Sequence, residues 1–177
     1  MYFITKKNIT IYFLVAVSLI TIGYFLSNEP NTQIQVNKIG LEELITIFSY
    51  NSALIFLLLV FSFTGIPIIY MAGFLFSMGE SAKLSGIDPS IYYIASLSHG
   101  LLEIVLSAIV VFYSISHIRV LLRFLSNRVE INELKLFYKK TLIILFPSTL
   151  GVLILAALTE VYISNPIIRI LTIGSGY

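Results

Sequence analysis

Between Ile91 and Ser114 an otherwise apolar run carries Tyr92, Ser96, His99, Glu103 and Ser107, at steps of four, three, four and four. On an α-helix that spacing gathers all five on one stripe. An imidazole and a carboxyl one turn apart can hydrogen-bond along the helix, and can couple the passage of a proton or an ion. A second acid, Glu160, stands near the end of the last apolar run. Asn51 opens the second run, where its type suits a helix cap.

Other chemistries find less support. The chain has no cysteine, which excludes disulfides, thiolate catalysis and Cys-based metal sites. No H-E-x-x-H occurs, and the other histidine, His117, lies far along toward the opposite end of the run, which argues against a metal centre. Ser85 falls in a connection and Ser98 adjoins His99 itself, so neither serine is set against a histidine on another helix. No catalytic residue, metal or cofactor is expected. A net charge of +2 offers nothing for nucleic acid.

The elements that must position the stripe are membrane helices. Hydrophobic residues make up 58% of the 177 and charged residues 11%, less than half the share usual in a soluble domain. Four apolar runs stand out: Ile9–Leu26, Ser52–Met78, Ile91–Ser114 and Thr141–Ile163. The first follows Lys6 and Lys7 and leads into Ser27-Asn28-Glu29-Pro30 without a small-x-small cleavage pattern. It reads as an uncleaved signal-anchor helix over 8–26. Leu41, Leu44, Ile45 and Phe48 then recur at helical spacing, which predicts an amphipathic helix on the membrane surface over 38–50.

Basic residues set the topology. Segment 116–140 holds Arg119, Arg123, Arg128, Lys135, Lys139 and Lys140 against Glu130 and Glu133. Short loops of this kind stay in the cytoplasm, and Lys6 and Lys7 place the N-terminus there too. Three single crossings would separate these two regions, so one run must double back. The 27 residues of 52–78 would reach roughly 40 Å as one helix, and Gly65-Ile66-Pro67 interrupts them. We expect two legs, Ser52–Thr64 and Pro67–Met78, each roughly 20 Å and too short to span comfortably. Gly65, Ala72, Gly73, Ser77 and Gly79 would let this broken hairpin pack closely, as would Gly100 beside the stripe. The expected fold is an all-α, polytopic membrane helical bundle, a single domain of four to five membrane segments. Its polar-striped helix covers 91–115 and its last helix 141–163. The basic segment has two readings, a surface for anionic lipid headgroups and a docking face for a cytoplasmic partner.

A Phe-x-x-Asn entry, Phe48-Ser49-Tyr50-Asn51, leads into a glycine-broken apolar run. It is followed by His99-Gly100-Leu101-Leu102-Glu103 and by Glu160 inside the last segment. This pattern resembles the stage II sporulation protein M family over about Phe48 to Ile163, although members often carry Asn-Gly where this chain has Ala72-Gly73. The resemblance implies a multi-pass protein of the cell membrane with no assigned catalysis. It would work as a homo- or hetero-oligomer, anchoring a complex with cell-wall hydrolases or serving as the permease-like partner of an ATP-binding protein in export or immunity. A small proton-coupled transporter using His99 and Glu103 is the alternative.

Overall fold

The computed structural model describes residues 5–28 and 40–174, with side chains placed to residue 171. Its elements are helices: α1 (Lys6–Leu26), α2 (Leu41–Val60), α3 (Ile66–Leu84), α4 (Pro89–Leu125) and a last helix of three stretches. Those stretches are α5 (Ile131–Lys140), α6 (Phe146–Thr159) and α7 (Asn165–Gly174), joined by widened π turns at Thr141–Leu145 and Glu160–Ser164. Each π turn ends two residues before a proline, Pro147 or Pro166. A proline ring removes one backbone donor and crowds the carbonyl a turn back, and a locally wider turn relieves that crowding.

Four helices are long and apolar enough to cross a membrane: α1, α2, α4 and the run Ile131–Leu171. Their large apolar side chains face outward, with Phe25 76% exposed and Ile94 and Ile170 each 70%. Surface of this kind is costly in water and suits acyl chains. The protein is a multi-pass membrane bundle.

Side-chain contacts fix the helix directions. Ser62, just past α2, meets His117 near the far end of α4, so α2 runs alongside α4 in the same sense. The chain then reverses, and Met78 of α3 reaches Gly100. Ser164 meets His99, so the last helix runs opposite to α4. Tyr12 meets Ile104 and Phe112, so α1 also opposes α4. The α2–α3 turn, the start of α1 and the basic stretch beyond His117 therefore share one end. Lys6, Lys7, Arg119, Arg123, Arg128, Lys135, Lys139 and Lys140 all lie exposed at that end. Lys83 and Arg169 lie toward the other end, where the Lys83 ammonium sits 5.5 Å from the Tyr24 ring.

The reversal falls at the expected break. Ser62–Thr64 tightens into a 3-10 turn, and Gly65 takes φ of 79°, a left-handed conformation that costs a glycine little. Pro67 opens α3, where a missing donor is harmless. The legs are longer than expected. Leu41–Tyr50 does not form a separate surface helix: it continues without a breaker into 51–60, making α2 20 residues and roughly 30 Å. Residues 38 and 39 lie outside the described residues. At the other side of the break, α3 runs through Glu80 and Lys83 to reach 19 residues, roughly 28 Å. Segment 116–140 likewise divides, its first ten residues extending α4 and its last ten forming α5.

Backbone contact seats α1 on α3. A Cβ on Gly79 would lie 1.9 Å from the Ile20 carbonyl oxygen, and one on Gly23 would lie 2.1 Å from that of Phe76. Neither position has room for any side chain, as at close small-residue crossings in membranes. Gly100 is buried with Met78 Cε 3.6 Å from a notional Cβ, an ordinary contact. The expectation for Gly73 fails: it is exposed and nothing lies within 4 Å of its notional Cβ, because it falls on the outer face of α3.

Candidate functional site

The predicted stripe is present on α4, and it faces inward. Tyr92, Ser96, His99 and Glu103 line a cavity of about 340 Å³ between α1, α3 and α4, which Ile20, Phe74 and Met78 close on the apolar side. Glu103 also lines a second, smaller cavity of about 50 Å³ on its other flank, shared with Asn51, Ser107 and Glu160. Glu103 is thus the polar side chain common to both spaces, and Phe74 stands beside it in each.

The partners differ from those the spacing suggests. His99 does not bond Glu103. Its Nδ1 lies 2.7 Å from the Ser164 hydroxyl, which is also 3.3 Å from that of Ser98. An imidazole on α4 reaches across more readily than along its own helix here, because the π turn Glu160–Ser164 brings Ser164 to it. Glu103 has Glu160 as its electrostatic neighbour. Asn51 does not cap a helix: it sits in the middle of α2 and faces the acids. Ser107 is fully buried, and the Tyr12 hydroxyl of α1 is the polar group beside its own. The nearby Tyr12 hydroxyl donates to the Ile104 carbonyl at 3.4 Å. No Lys or Arg lines either cavity.

A second polar centre, at the basic end, escaped the sequence reading. His117 Nδ1 lies 2.6 Å from Ser62 Oγ, and Ser62 donates its own proton to the Leu59 carbonyl at 2.7 Å. Ser62 therefore accepts from His117 Nδ1–H, and Nε2 accepts from the Tyr138 hydroxyl at 2.8 Å. The chain of bonds from Tyr138 through His117 and Ser62 to the α2 backbone is complete. Rings enclose it: Tyr113 stacks on Phe137 at 5.5 Å and 6°, and Phe63 lies 6.0 Å from the imidazole. The missed signal was spacing. His99 and His117 are 18 residues apart, five turns of helix, which puts both on one face of α4.

The basic residues Arg119, Arg123, Arg128, Lys135, Lys139 and Lys140 stay on the surface. The α5 stretch segregates them from Phe137, which stacks on Tyr113 of α4. Among the described residues, no group of three or more His, Asp or Glu side chains is arranged to hold a metal ion. Asp88, at the turn into α4, accepts from the Ser90 N–H at 2.9 Å and from the Ser90 hydroxyl, and these bonds hold its carboxyl below the usual aspartate range. Comparison of the chain with protein-family models, with curated proteins and with solved structures gives no match.

Proposed function

We propose that this protein is a non-catalytic membrane subunit of the stage II sporulation protein M type, which assembles with partners through its basic end. The observation that supports this reading is how the interior polar groups are used. His117, Ser62, Tyr138, His99 and Ser164 bond helix to helix, holding a bundle whose charged surface gathers at one end. That end carries eight of the eleven Lys and Arg residues. In the cell membrane it would face the cytoplasm, with anionic headgroups and an ATP-binding protein as partners there, and a cell-wall hydrolase complex as the alternative partner on the opposite face. Replacing Arg119, Arg123 and Arg128 by Glu should abolish co-purification of that partner and leave the bundle folded. Retained co-purification would refute the basic face as the contact.

A second reading, a small proton-coupled transporter, draws on one specific observation: Glu103 borders both cavities and shares the smaller one with a second acid. Glu103→Gln separates the two readings. A subunit keeps its partner at every pH, whereas a carrier loses pH-dependent transport in proteoliposomes.

A further inference from the structure

We propose that the larger cavity, between α1, α3 and α4, is a binding site for a small amphiphilic organic cation, its ammonium group paired with Glu103 and its apolar body packed against the opposite wall. The inference goes beyond the subunit reading and does not depend on it, since such a site can sit in a scaffold as well as in a carrier.

The space is of small-molecule size. Its volume of about 340 Å³ falls in the range of roughly 300–1,000 Å³ usual for ligand sites, which are mostly apolar with a few converging polar groups. Here Ile20, Phe74 and Met78 supply the apolar wall, and Ser96, His99 and Glu103 the polar one. Tyr92 and Tyr93 line it as well, their rings 5.8 Å apart and at 89°. An apolar recess of about 360 Å³, walled by Val17, Tyr24 and Phe25, shares Ile20 and Tyr93 with the cavity. An occupant with a polar head and an apolar body can use both spaces.

Charge decides the class of ligand. Glu103 supplies the carboxyl of this cavity, and among the described residues no Lys or Arg lines it. Of the basic residues on the three helices, Lys6, Lys7, Arg119 and Arg123 lie at the far end, and Lys83 is engaged with the Tyr24 ring at 5.5 Å. His99 is engaged by Ser164. An anionic ligand would meet a like charge, and a wholly apolar one would leave the carboxyl desolvated without a partner. A bare metal ion would fill a small part of the volume and leave the apolar wall without contacts. A phospholipid brings a phosphate that no basic group here receives. An organic ammonium satisfies the carboxyl, and tyrosine faces attract such a group within about 6 Å. The Lys83 ammonium on Tyr24, whose ring lines the adjoining recess, is the same kind of contact made by the protein's own side chain.

The test is saturation binding of tritiated benzyltrimethylammonium to the full chain in nanodiscs of phosphatidylglycerol, a lipid without an ammonium group, with empty nanodiscs subtracted. The wild type should bind it saturably, and unlabelled phenylacetate, a phenyl compound of opposite charge, should not displace it. Glu103→Gln keeps the shape and removes the charge, and should weaken binding about tenfold or more. Tyr92→Leu should weaken it about threefold or more, and Tyr92→Phe, which keeps the ring, by less than about twofold. Each variant is first shown to melt as the wild type does without the ligand. The ligand should then raise the melting temperature of the wild type and leave that of Glu103→Gln where it was. Absence of saturable binding overturns the proposal. So does binding that Glu103→Gln leaves unchanged, or binding abolished in nanodiscs containing phosphatidylethanolamine, which would make a lipid headgroup the occupant.

Discussion

Helix α4 carries two histidines on one face, and their surroundings are opposites. Around His117 every polar atom has a partner, from the Tyr138 hydroxyl through the ring to Ser62 and the Leu59 carbonyl, and aromatic rings fill the space about it. Around His99 one nitrogen is bonded to Ser164, and beyond it lie two cavities and two acids. The first arrangement is complete in itself and specifies how α2, α4 and α5 meet. The second leaves Glu103 between two cavities that no Lys or Arg lines. Within one membrane helix the same residue type therefore serves structure at one end and leaves chemistry open at the other.

The widest test removes a wall of the open end and leaves the closed end alone. Gly79→Leu puts a side chain where the Ile20 backbone lies, and should cost about 4 kcal/mol or more by unseating α1. Cysteine cross-linking between α1 and α3 should then fail while cross-links between α2 and α4 persist. Next in size is His117→Ala, which strands Ser62 and Tyr138 and leaves a hole among the rings. We expect a loss of about 3 kcal/mol, read from unfolding in mixed micelles. His99→Ala should cost only about 1 kcal/mol in the same assay, because that ring has one bond and borders space already empty. Equal losses at the two histidines would erase the contrast. Glu103→Leu sharpens it in the other direction. An apolar side chain in place of an acid without a basic partner should leave stability unchanged or raise it by about 1 kcal/mol.

The smallest effect belongs to the turn at the open end. Bonding to Ser90 depresses the Asp88 carboxyl below its reference value of 3.8, so the folded state prefers the ionised form. The stabilisation is present above 3.8 and disappears as pH falls through the lower folded value. Melting curves of the wild type and Asp88→Ala should differ at neutral pH and converge in acid.

Much of this was legible before any coordinates. Lys and Arg positions required the second apolar run to double back, and Gly65 and Pro67 marked where. The stripe of Tyr92, Ser96, His99, Glu103 and Ser107 followed from periodicity alone and does face the interior. Leg lengths were less legible, because the polar residues before Asn51 and after Met78 suggested helix ends where helical backbone simply continued. Partner choice was not legible at all. His99 and Glu103 are neighbours in sequence spacing, yet His99 bonds Ser164 of the last helix.

What the sequence determines on its own is the solvent and the period. Apolar runs of bilayer length must be helices in lipid, and a 3.6-residue repeat says which residues share a face. Only the tertiary structure decides that His99 meets Ser164 and that Glu103 and Glu160 line one cavity. Those pairings depend on the rotation and register of one helix against another. In this bundle they are set by two glycines where backbones touch and by two π turns beside prolines, and no repeat in the sequence encodes them.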